Sequence, residues 1–181
     1  MSLPDAYAAK IARRPHETAL LVEPEPEVRD HLIDDFLTAA YAATPTGTFQ
    51  NADRISLRWL EPDWFEYTPD PAAPFSFTRA SGEVIMPERM ATDGGSIPRP
   101  LWFRKNLSPW CYVPAFLVHD WEFDQHHAGA SAKNFDAVRD TLAEGLKTLM
   151  ETGVCPKSEV TFRAIYAGVS SWVAKKIWAG A

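Results

Sequence analysis

The chain has 181 residues, 46% of them apolar, with seven Trp and ten Phe, which suits one domain of ordinary size with a real core. Eighteen Lys and Arg stand against 24 Asp and Glu, a net charge of −6. That balance argues against a general nucleic-acid binder, which needs cationic groups to replace phosphate counterions. No stretch approaches the ~18 apolar residues of a membrane span, and Asp5, Lys10, Arg13 and Arg14 interrupt any signal-peptide core, so a cytoplasmic protein is expected.

Residues 4–14 predict a short helix closed by Pro15, and Pro24 and Pro26 mark an extended link. A stronger helix is predicted over 26–43, where Val28, Leu32, Ile33, Phe36, Leu37, Ala40 and Tyr41 recur at helical spacing. From about 54 the period becomes two. Ile55, Leu57 and Trp59 alternate with Ser56 and Arg58, and short runs at 63–67, 75–79 and 82–86 read as further strands. Pro69, Pro71, Pro74, Ser81-Gly82 and Pro87 separate them. After an irregular stretch at 91–113, three helices are predicted. One runs over 113–126 with Pro114 at N1, one over 131–151 with Ser131 as N-cap and Gly153 at its end, and one over 157–178 opening at Ser158. The expected fold is α+β: a small antiparallel sheet followed by a C-terminal layer of about three helices. Residues 1–50 are an extra N-terminal helical segment, and 51–181 form the core domain.

Two segments have the residue types for chemistry. In Thr92-Asp93-Gly94-Gly95-Ser96-Ile97-Pro98, adjacent glycines allow a sharp turn or a close backbone approach to a ligand. Asp93 and Ser96 can then bond backbone amides, a metal or a substrate, or simply cap an Asx-type turn. Ser96 stands outside any Gly-x-Ser-x-Gly elbow. The second segment is His119-Asp120 on the helix over 113–126. His119 shares a face with Phe116 and Phe123, and Asp120 is turned away by about 100°. Two adjacent polar groups at a buried helix edge must both find partners. Glu122 and His126, four apart, read as a surface pair, with Asp124 and His127 solvated. Cys111 and Cys155, without CxxC spacing, read as two reduced and mostly buried thiols.

Together, Val84-Ile85-Met86-Pro87, Thr92-Asp93-Gly94-Gly95-Ser96-Ile97-Pro98-Arg99, Trp102, His119-Asp120-Trp121 and Ile165-Tyr166-Ala167-Gly168-Val169 resemble domain-of-unknown-function family 1353 of phages and prophages. The resemblance spans roughly 64–178. Gly95 replaces the family's usual alanine, and Glu122-Phe123 replaces its Leu-Tyr, which removes a phenol. The resemblance implies a phage or prophage setting, within the bacterial host cytoplasm or on the virion, and supplies no established activity.

Three readings follow. In the first, a metal-assisted hydrolase, Asp93, His119 and Asp120 hold a divalent metal ion or a water. Ser96 orients substrate, and His119, Asp120 and Ser96 form the catalytic set. In the second, a non-enzymatic virion or host-interaction protein, the same residues form a structural polar network and the partner is a phage structural or host protein. The third is a calcium-dependent phospholipase A2-like esterase, from the pairing of a glycine loop with a helical His-Asp. It lacks the disulfide scaffold of those enzymes.

Overall fold

The structure, a computed structural model, describes residues 39–61, 64–94 and 109–180. The helix expected at 4–14, most of the one at 26–43, and Ser96 lie outside the described residues. The fold is α+β, with helices following strands, but the strands divide between two antiparallel three-stranded sheets. The first has the order β1 (Thr48–Gln50), β4 (Ser76–Thr78), β5 (Val84–Ile85). The second runs β2 (Leu57–Glu61), β3 (Trp64–Tyr67), β6 (Met90–Thr92). Strands β1 and β6 have no counterpart among the predicted elements.

The first sheet is held by aromatic stacking. Phe49 lies opposite Phe77 in the β1–β4 register, with ring centroids 4.4 Å apart, and also stacks on Phe75 at 5.9 Å. This contact needs Gly47. A Cβ there would stand 2.4 Å from the Thr78 carbonyl oxygen and 2.7 Å from the Phe77 ring. Because the first of these is backbone, one strand would have to move. Gly47→Ala is therefore expected to lower stability by about 1–3 kcal/mol. Urea denaturation would check this, and an unchanged midpoint would refute the close approach.

Helix α1 (Val113–His127) begins behind a 3-10 turn at Pro109–Tyr112, with Pro at its first turn as predicted. From Val113 to Val118 every residue is buried, because the helix lies between two cores. Ala115 and Phe116 join Tyr41, Tyr112, Leu142, Leu146, Leu149, Phe162 and Tyr166 in one. Val113, Leu117 and Val118 meet Tyr67, Phe75, Phe77, Ile85 and Met90 in the other. Phe49 packs against both.

Helix α2 (Phe135–Glu151) starts later than predicted. Its N-cap is Asn134, whose side chain accepts a 2.8 Å bond from the Ala137 N–H. Ser131 instead takes a bond from the Lys133 N–H. The last predicted helix is two, α3 (Glu159–Val169), capped by Ser158 as expected, and α4 (Trp172–Trp178), capped by Ser171. Between them Ser170 bonds back to the Tyr166 carbonyl at 2.6 Å, and Ser171 leaves the helical conformation to accept the Ala174 N–H. Such local side-chain bonds compete with helix continuation.

Residues 39–50, counted with the N-terminal segment in the sequence reading, are joined to the helical core. Tyr41 donates to Glu151 Oε1 at 2.8 Å, and the Lys147 ammonium donates to the carbonyls of Tyr41 (2.8 Å) and Thr44 (2.6 Å). The Gly47 N–H donates to Thr148 Oγ1 at 2.9 Å. No helix of the described residues is long and apolar enough to cross a membrane.

Candidate functional site

The glycine turn and the His-Asp pair meet. Strand β6 is an edge of the second sheet, with Thr92 opposite Phe65. Thr92 is fully buried, and its hydroxyl donates a 2.6 Å hydrogen bond to Asp120 Oδ2 on α1. The Thr92 hydroxyl oxygen in turn accepts the Gly94 N–H at 3.0 Å, with Gly94 at φ +76°, a conformation that glycine adopts without a Cβ penalty. Asp120 is 2% exposed. A short bond to a carboxylate between elements 28 residues apart ties the end of β6 to the middle of α1.

The bond runs through Thr92, whereas the sequence points to Asp93 and Ser96 for the polar work of this loop. Asp93 and His119 are the chain neighbours of Thr92 and Asp120, one Cα–Cα step of about 3.8 Å away along each chain. Both are half-buried. The His119 ring lies against Phe123, 4.7 Å between centroids, so the helix face drawn from the sequence holds. Among the described residues, no group of three or more His, Cys, Asp or Glu side chains is arranged to hold a metal ion.

The expected surface pair of Glu122 and His126 does not form. Glu122 is 4% exposed and its Oε1 accepts from the Lys133 ammonium, which also contacts Glu83. Arg79 links Glu83 (3.3 Å) to the buried Glu144 (Nε to Oε2, 2.9 Å), whose other oxygen takes the Ala80 N–H. His126 instead stacks on Trp178, with 3.6 Å between ring centroids. His127, expected to be solvated, places Nε2 at 3.1 Å from the Ile177 carbonyl oxygen. The physical reason is that α1 is covered on several sides: α4 lies over its C-terminal histidines, while the β4–β5 turn and the α1–α2 loop enclose Glu122. A further buried carboxylate, Glu66 on β3, lies between Arg58 on β2 (Nε to Oε2, 2.9 Å) and Arg89 (Nε to Oε1, 3.0 Å).

Burial pushes the Glu122 carboxyl above its ordinary 4.5, against the pull of Lys133. Its Oε2 finds no hydrogen-bond partner among the described residues. Burial acts the same way on Glu83, but Lys133 and Arg79 together hold that group below its ordinary value. The two therefore have opposite linkage signs. Glu122 takes a proton more readily in the native than in the unfolded state, so its contribution to stability is greatest at low pH. That contribution falls as pH rises from the unfolded value through the raised folded one. Glu83 stabilises above its unfolded value, and that stabilisation is lost as pH falls through its lower folded value. Glu122→Gln is thus expected to gain stability relative to the wild type as pH rises above about 4.5. Calorimetric melts at several pH values measure the difference, and a gap that narrowed with rising pH would contradict it.

No family model, no curated protein and no solved structure matches this chain.

Proposed function

We propose that the protein is a phage- or prophage-type interaction protein that binds a virion or host partner, with the glycine turn and the His-Asp pair acting as a structural lock. The single observation behind this reading is the buried 2.6 Å bond between Thr92 and Asp120. A carboxylate 2% exposed and held by a buried hydroxyl fixes one element on another and is poorly placed to meet a substrate or a hydrated cation. Asp120 is then a positioning residue.

A metal-assisted hydrolase is the second reading, centred on His119 and Asp93, with Ser96 orienting substrate. It is favoured by the half-buried setting of His119 and Asp93 beside that lock, which leaves them partly open to solvent. A bound cation there would polarise a carbonyl or phosphoryl group and lower the pKa of its water.

Elemental analysis of the purified protein, calcium titration followed by thermal shift, and the variants Thr92→Val, Asp93→Ala and His119→Ala separate the two. On the lock reading, Thr92→Val costs about 1–3 kcal/mol, because it leaves the buried Asp120 short of a donor. Asp93→Ala and His119→Ala then keep partner binding, and no stoichiometric metal is found. An equimolar divalent metal that disappears in both His119→Ala and Asp93→Ala would overturn the lock reading in favour of the hydrolase.

A further inference from the structure

Cys111 and Cys155 are 44 positions apart in the sequence, and neither has a role in the site described above. The fold brings them together. Cys111 is in the 3-10 turn that leads into α1. Cys155 follows α2, with its N–H bonded to the Leu149 carbonyl at 3.0 Å. Cys155 belongs to the helical core at 2% exposure, and Cys111 packs against that core from a half-exposed position. Cys111 thus packs on the one cluster that holds both Cys155 and the buried Tyr112 side chain, close enough to act on the Cys155 thiol. Both backbones are tethered, so the sulfurs are held as neighbours by helix ends rather than by a floppy loop.

We propose that Cys111 and Cys155 form a reversible intrachain disulfide, with Cys111 meeting the oxidant and Cys155 resolving it. The roles follow from exposure. Cys111 is open to a small oxidant, whereas Cys155 is shielded, and burial pushes its thiol well above the ordinary range, so it does not react first. The Cys111 thiolate attacks hydrogen peroxide, breaks the O–O bond and becomes a sulfenic acid. The hydroxide released takes up the thiol proton and leaves as water. The Cys155 sulfur then attacks the sulfenic sulfur and displaces its oxygen, which leaves with the Cys155 proton as a second water. Two thiols are oxidised by two electrons, and one peroxide is reduced to two waters. The new bond would tie the entrance of α1, the helix that bears His119 and Asp120, to the turn after α2.

The test uses the full chain, exposed to equimolar hydrogen peroxide, then denatured in iodoacetamide for intact-mass analysis and peptide mapping. The expected result is a loss of about 2 Da, a peptide cross-linked between Cys111 and Cys155, and full reversal by dithiothreitol. Closing a loop of that length should raise Tm by about 10 °C. In Cys155→Ser, Cys111 should accumulate as a dimedone-reactive sulfenic acid, while Cys111→Ser should resist the same dose. Should Cys155→Ser fail to fold, the peptide map of the wild-type protein alone decides the matter. Two fully alkylated thiols after peroxide, or a disulfide found only between chains, would overturn the proposal.

Discussion

Phe162→Ala is expected to lower stability by about 3–5 kcal/mol, the range for truncating a buried aromatic ring. Phe162 is wholly buried, and it stands where three parts of the chain meet. Its ring is edge-on to Tyr41 at 5.0 Å, parallel to Tyr166 at 5.9 Å, and set in the core that includes Phe116 of α1 and Leu142 and Leu146 of α2. The cost of such a truncation depends on how far the walls can collapse into the cavity. Here two of them are held from outside. The Tyr41 hydroxyl is bonded to Glu151, and the Tyr166 ring has the Arg139 guanidinium over it at 5.3 Å. Neither ring can move inward without giving up a polar contact, which places the loss toward the upper end. Urea unfolding with an unchanged slope is the measurement. A loss below about 1 kcal/mol would mean that residues 39–43 and α3 do not share a core. The Tyr41 phenol offers a second readout of the same packing, because burial first and Glu151 second push its pKa up to about 12.

The helical half of this fold was legible because its periods are long. Phe162, Ile165 and Tyr166 mark the buried face of α3, and Pro114 marks the start of α1. The break at Ser170 and Ser171 was not, since a serine pair within an apolar period is compatible with either a continuing helix or a cap. The strands β1 (Thr48–Gln50) and β6 (Met90–Thr92) are three residues each and, unlike the β4 run with its alternating Phe75 and Phe77, carry no repeated apolar period. Their existence depends on partners at Ser76–Thr78 and Trp64–Tyr67, which sequence spacing does not reveal. The same reason explains why one expected sheet is two. At the site, the two segments stood out, but the bond that joins them runs through Thr92, a residue type common in any strand. Glu122 was misread because α1 lies between two cores. A helix covered on several sides has no single polar face, so an i, i+4 pair on it carries no information about which side is wet.

Arg79→Ala is expected to lower stability by about 3–5 kcal/mol, the penalty for stripping the partner from a buried charge. The Arg79 side chain is 18% exposed and Glu144 on α2 is 2% exposed, so little water is available to replace the lost guanidinium. The same substitution also removes the link to Glu83 and, among the described residues, leaves Lys133 as the remaining cation of a cluster with Glu83, Glu122 and Glu144. With Arg79 in place, two cations of the described residues face those three carboxylates. The raised pKa of Glu122 already reflects burial that Lys133 does not fully offset. The β4–β5 turn itself does not depend on this side chain. Its backbone is closed by the Arg79 N–H to the Glu83 carbonyl (2.8 Å) and the Gly82 N–H to the Arg79 carbonyl (2.9 Å). The loss should therefore appear as weaker docking of the turn on α2 and not as a misfolded hairpin. The decisive comparison is with Arg79→Met combined with Glu144→Met. Replacing both partners by apolar side chains of similar length removes the stranded carboxylate and should recover most of the deficit. If instead the single substitution costs under about 1 kcal/mol, the pair behaves as a solvated surface bridge, and the turn must be held to the helical layer by its apolar contacts alone.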